Sequence, residues 1–254
     1  DLVKTKIWGG DPQGIKAARG ARISSYMSWQ LLSEVEEWEQ ETDKLLVQLP
    51  IVGDMFRKVW MGPDRARCRL VDPGKLVVNI KAQNISDAPR CSEEFSLFPH
   101  EIQERITDGR FVDFDYDEDE KDKQAAQDFI EMHTRLDLDE DGYAEPYIVT
   151  VHVERQKVVK IVADFEADDV EFTTEARPVP VMMQTDLGPV QSMEMQEVPT
   201  GIKSIRRNTY FVHYQFMPGM SDGMLGTGLG ILLGDISSAV NSSINMMLDA
   251  GHYA

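Results

Sequence analysis

The chain is poor in cysteine. Cys68 and Cys91 are the two it has, they form no CxxC pair, and no histidine stands at zinc-ligand spacing from either. A zinc site is therefore not expected, and two plain thiols in a reducing compartment are. Basic side chains are also scarce. Against 44 Asp and Glu there are 26 Lys and Arg, for a formal net charge of −18. A surface that acidic repels phosphate backbones, which removes tight wrapping of nucleic acid from the expected functions. The five histidines, His100, His133, His152, His213 and His252, are scattered, and no HExxH, GxSxG or Cys/His signature occurs. His152 and Glu154 share a face of an alternating segment, as two surface residues often do. No carboxylate pair stands out from the general acidity. The chain is read as a non-enzyme, with no catalytic, cofactor-binding or metal-binding residue assigned and no cofactor. Long apolar runs are missing too. The most apolar stretch, Met224 to Leu248, carries Asp235, Asn241 and several serines, so no membrane span is expected. No signal peptide pattern opens the chain, and a cytosolic protein is expected.

What is present is enough for a folded body. With 254 residues, 42% of them hydrophobic, the chain suits one large domain or two smaller ones. A chain of this size hides roughly 70–75% of the surface that it exposes when unfolded.

Residues 1–15 read as a loop, with Gly9, Gly10, Pro12 and Gly14 close together. Ile23, Met27, Leu31, Val35, Trp38, Leu45 and Leu49 then recur at helical spacing, opposite an acidic face, and predict one long amphipathic helix bounded by Pro50. From Asp54 to Ile80 the period changes: "MFRKVWM", "RCRLV" and "KLVVNI", separated by "GPD" and "DPG", predict a small β-meander. "FPHEIQERITDG" predicts a short helix, "DFDYDEDEKDK" a solvated acidic run, and "KQAAQDFIEMHTRL" a further helix. "YIVTVHVERQKVVKIVADFE" predicts a β-hairpin, and Asp168 to Arg207 has weak periodicity. "TYFVHYQF" predicts a strand. In the last helix Leu229, Leu233, Ile236, Val240, Ile244 and Leu248 line one face. Helices and strands mix without a βαβ rhythm, which is an α+β pattern.

Two stretches suggest ligands. "DLDEDGYAEP" begins like a calcium loop: Asp137, Asp139 and Asp141 fall at positions 1, 3 and 5, Gly142 at 6, Tyr143 at 7 and Glu145 at 9. Position 12 is Ile148, where a bidentate carboxylate belongs, and a strand pattern follows instead of a helix. A calcium-binding interaction module built on Asp137 to Glu145 and a plain Asx-rich turn with Gly142 at positive φ are both open. The second stretch is "GMLGTGLGILLG". It lacks the GxGxxG spacing, because Ile231 and Leu233 follow Gly228 and Gly230 by three, and it lacks the P-loop lysine. The glycines read better as an approach to the last helix, with Gly226, Gly230 and Gly234 forming a bare strip where another helix or chain comes close.

Taken in order, "GARISSYMSWQLLSEVEEWEQETDKLLVQLPIVGDMFRKVW", "DPGKLVVNI", "DLDEDGYAEPYIVTV" and "YFVHYQFMPGMSDGMLGTGLGILLGDISSAVNSSINMMLDAG" resemble the portal proteins (head-to-tail connectors) of tailed bacteriophages, in their P22-like podovirus branch. The last block is the most specific. The resemblance implies a portal-type α+β subunit with a mixed wing domain over 1–140, β-rich clip-side segments over 141–222, and long stem or channel helices beginning at 223–254. It implies a dodecameric virion ring at one capsid vertex, assembled in the host cytoplasm. That ring is the channel for genome packaging and ejection. The implied partners are further copies of the chain, the major capsid protein, the terminase large subunit, head-to-tail adaptor and tail proteins, and double-stranded DNA that passes non-specifically. Family members run longer, so the resemblance also implies an internal piece, without crown and barrel helices. An acidic channel suits sliding DNA, since each favourable phosphate contact adds friction.

Overall fold

The computed structural model describes residues 2–79, 81–116, 125–185, 188–219 and 223–253, with backbone alone for 178–185, 188–197, 199 and 253. Residues 117–124, the second half of the acidic run, lie outside the described residues. The chain forms two compact units, Asp1–Ala88 with Thr209–Ala254, and Pro89–Asn208.

In the first unit the expected long helix is two. Helix α1 is Ile15–Trp29, a π-helical turn takes Gln30–Glu34, and α2 is Glu37–Val52. The Val35 N–H reaches back five residues to the Gln30 carbonyl (3.2 Å), and Val35 then leaves helical geometry. The break buries Val35. Arg65 makes it stable: its guanidinium donates to the Glu34 carbonyl at 3.2 Å, an acceptor that the broken ladder leaves over, and pairs with Glu36 at 2.9 Å. Pro50 does not end α2. It sits in the last turn, and Gly53 at φ 102 ends the helix instead.

Helix α2 lies on an antiparallel sheet of order β10–β1–β2, formed by Asp54–Met61 (β1), Ala66–Val71 (β2) and Phe211–Gln215 (β10). Arg57, buried under α2, donates to the Thr42 hydroxyl at 2.8 Å, and Glu41 accepts the Leu70 N–H at 2.5 Å. The expected meander is thus corrected. Leu76–Val78 (β3) is no part of this sheet, whose third strand is β10, paired with β1. Helix α4, Leu229–Tyr253, completes the unit.

The second unit holds an antiparallel run of Arg90–Leu97 (β4), Gln127–Leu136 (β5), Glu145–His152 (β6) and Lys157–Ala163 (β7). Here β5 overturns an expected helix. Phe129, Glu131 and His133 alternate onto one face and pair across to Phe95, Glu93 and Cys91 of β4. Pairing with β4 and β6 overrides the local helical pattern there, and Lys123 and Gln124 of the expected helix lie outside the described residues. Short helix α3, Pro99–Thr107, forms as expected, with Pro99 at its first position and the Glu101 carboxylate accepting the Phe98 N–H at 2.8 Å. It covers the apolar end of the sheet, where Leu97, Ile102, Phe111, Phe114, Phe129 and Val159 are buried together. The weakly periodic segment forms a two-stranded ribbon, Val170–Thr185 (β8) against Gly188–Ile205 (β9). Pro178, Pro180, Pro189 and Pro199 mask its alternation, yet a strand with an open edge tolerates proline where the N–H points away from its partner.

The portal-type architecture is a correction as well. Four helices and ten strands in three antiparallel sheets make a mixed α and β fold, but the long stem or channel helices are missing among the described residues. Outside α4 the helices span 15, 16 and 9 residues, and most apolar segments alternate with the period of a strand. Among the described residues no helix is long and apolar enough to cross a membrane.

Phe129 is fully buried, with the rings of Phe95, Phe111 and His152 at 5.8, 5.7 and 5.0 Å. Phe129→Ala is expected to cost about 3–5 kcal/mol in chemical denaturation of the intact chain.

Candidate functional site

The loop Asp137–Glu145 joins β5 to β6. Its sequence allows either a ligand loop or a turn, and the geometry shows both sets of contacts. Carboxylate oxygens of Asp137, Asp139 and Asp141 lie within 4.8 Å of one another, all exposed. Two of the three carboxylates also do the work of an Asx turn: Asp137 accepts the Gly142 N–H at 3.0 Å and Asp141 the Tyr143 N–H at 2.7 Å. Gly142 and Glu140 take positive φ, 91 and 60. Glu145 does not join the cluster. It accepts the Tyr147 hydroxyl at 2.5 Å and, by that bond first, pushes the Tyr147 phenol up to about 12. Ile148, at the clamp position, is buried in β6.

What sequence reasoning missed is the use made of Tyr143. Its hydroxyl accepts the Ile205 N–H at 3.0 Å, and Arg135 donates to the Ile205 carbonyl at 3.2 Å. The acidic turn therefore holds the root of the β8–β9 ribbon. Position seven of a calcium loop marked Tyr143 for its backbone carbonyl, and nothing in the sequence assigned its side chain.

The glycine cluster meets protein and not phosphate. Gly228 lies against the end of α2, where a methyl group would collide with the Ile51 carbonyl and the Gly53 amide. A methyl on Gly230 would stand 2.8 Å from the Ile51 carbonyl oxygen, and one on Gly226 would stand 2.7 Å from the Gln215 side chain. Gly234 faces open space. The glycines permit two backbones to cross where α4 begins. Only glycine allows this approach.

Beside the crossing, buried Asp54 joins three segments. Its carboxylate contacts His213 Nε2 of β10 at 2.8 Å and accepts the Gly226 N–H at 2.7 Å, and the His213 ring stacks on Phe56 at 4.9 Å. Beyond this point α4 runs exposed along its whole described length: Leu233, Ile236, Val240, Ile244 and Leu248 are each 44–61% accessible. Its stripe of apolar residues is uncovered among the described residues.

The other histidines are placed separately. His133, buried, meets Asp164 at 3.2 Å and Glu131 at 3.6 Å. Burial works against its proton, but those two carboxylates outweigh it and hold the imidazole above its ordinary value of 6.5. His152 meets Gln127 at 2.8 Å and is pushed down by burial. His100 stacks near Phe98 in the exposed start of α3.

Compared with known protein families and with curated proteins, the chain matches no family model and no curated protein.

Gly228→Ala is expected to destabilise the first unit by about 1–3 kcal/mol, because neither backbone can move away freely. Gly234→Ala, with open space around it in a helix interior, is expected to stabilise by up to about 1 kcal/mol. Urea unfolding of the two variants checks the contrast.

Proposed function

We propose that this chain is a structural subunit of a tailed-bacteriophage portal ring, the channel for genome packaging and ejection. The reading rests on the order of the sequence blocks that resemble that family. The single structural observation that supports it is the exposed apolar stripe of α4. A soluble protein rarely leaves a contiguous apolar face of that length in water, so the face argues for another chain against it. A ring needs such contacts in the heterologous form, one surface on each side of the subunit. The stripe contains Met247, whose flexible side chain fits an imperfectly matched neighbour.

The charge balance supports the same reading. A net charge of −18 disfavours tight phosphate binding, and DNA that must slide is served by weak contacts. In this proposal the ring has twelve copies at a capsid vertex. The terminase large subunit, adaptor and tail proteins, and the major capsid protein dock on its outer parts. The reaction chemistry of packaging belongs to the terminase, and this chain is not an enzyme.

A calcium module is the second reading, favoured by the convergence of Asp137, Asp139 and Asp141. Glu145, at position nine, is engaged by Tyr147, and buried Ile148 supplies no clamp at position twelve, which ranks this reading below the ring. Heat on titration with millimolar calcium would restore it.

The ring is tested on the full-length protein. Class averages in electron microscopy are expected to show a closed particle with one rotational symmetry, and Ile236→Asp with Val240→Asp is expected to abolish it while the circular dichroism stays. A strictly monomeric wild type under packaging-like salt overturns the proposal.

A further inference from the structure

We propose that the buried polar end of the β4–β7 sheet is a protonation-dependent latch that holds the root of the β8–β9 ribbon. This goes beyond the ring proposal and does not depend on it.

The sheet face that carries Phe129 at one end carries polar groups at the other. Across the register lie Cys91 and Glu93 of β4, Glu131 and His133 of β5, Ile148 and Thr150 of β6, and Lys160 and Val162 of β7. Cys91, Glu93, His133 and Thr150 are each 3% exposed or less, and Asp164, just past β7, is fully buried. Further along the same face Arg135 is turned to the Ala144 and Ile205 carbonyls, and Arg206 and Arg207 stand in the stretch that leaves β9.

The geometry around His133 sets the switch. Nδ1 faces an Asp164 carboxylate oxygen at 3.2 Å, and Nε2 faces Glu131 at 3.6 Å. A neutral imidazole has one N–H for the two carboxylates; an imidazolium presents one toward each, nearer to Asp164 than to Glu131. The second carboxylate oxygen of Asp164 has no hydrogen-bond partner among the described residues, so this buried carboxylate leans on His133.

The main chain of Asp164 carries the effect outward. Its N–H donates to the Pro146 carbonyl at 2.9 Å, and its carbonyl accepts the Asn208 N–H at 3.0 Å, where the chain returns from the ribbon. Arg206 N–H adds a bond to the Asp169 carbonyl at 3.1 Å across the same root. With His133 charged, Asp164 is fixed, and Asp164 fixes both chains at the root. With His133 neutral, the positive charge between the two buried carboxylates is gone, Asp164 is held less firmly, and the root opens more often. The imidazole is held above 6.5, so the stabilisation is complete below 6.5 and is lost as pH rises through the folded-state value.

Hydrogen exchange of the intact chain, corrected for the intrinsic pH dependence of the chemistry, reads the latch. Between about pH 5.5 and about pH 8.5, protection in the peptides that contain Asp164 and Asn208 is expected to fall about tenfold or more, with little change around Phe129. His133→Gln is expected to flatten that dependence. Equal protection at both pH values in the wild type overturns the proposal, as does an undiminished fall in His133→Gln. Imidazole NMR of the wild type gives a test that no variant's misfolding can spoil: a His133 midpoint above 6.5 supports the latch, and one at or below 6.5 overturns it.

Discussion

The Asp54 carboxylate holds the first unit together. It reaches His213, 159 residues away, and the Gly226 amide, 172 residues away, so one buried side chain joins stretches of chain between which the second unit is inserted in sequence. Closing a loop of that length costs entropy, although the cost grows only slowly with length. The register of β1 with β10, the stack of Phe56 on His213 and the crossing of Gly228 over the end of α2 all depend on bringing these two chain ends to one place.

That closure also sets the origin of α4. The glycines before it are consumed by the crossing with α2, while Gly234 and the apolar stripe beyond remain open. The first unit thus spends its conformational specificity on where α4 starts and leaves its long face for something else to cover. The second unit is organised differently. An aromatic cluster and a buried polar cluster share one sheet face, and the acidic turn Asp137–Glu145 supplies Tyr143 to brace the ribbon. Both units use carboxylates inside the fold: Asp54 is met by His213 and the Gly226 N–H, and Asp164 by His133.

Elements with local signals were legible. The hairpin β6–β7, helix α3 and helix α4 follow alternation or helical spacing, and their boundaries lie near the expected ones. Elements decided by distant partners were not. β5 lies in a stretch that reads locally as a helix and is a strand because β4 and β6 flank it. The break at Val35 depends on Arg65, which lies beyond the next helix. The ribbon was hidden by prolines, whose effect on a strand depends on which edge is open. The acidic cluster was legible as a cluster, since Asp137, Asp139 and Asp141 do converge; that Glu145 turns to Tyr147 instead is a matter of side-chain geometry.

The amino-acid sequence by itself determined the acidic balance, the turn at Gly142, the apolar stripe of the last helix and the absence of P-loop chemistry, because each depends on residue type and short spacing. Tertiary structure alone decided that the glycine cluster is a backbone crossing, that β10 and not β3 completes the first sheet, and that His133 lies between two carboxylates. Those outcomes join residues tens to hundreds of positions apart, and no local periodicity records which distant partner a side chain will meet.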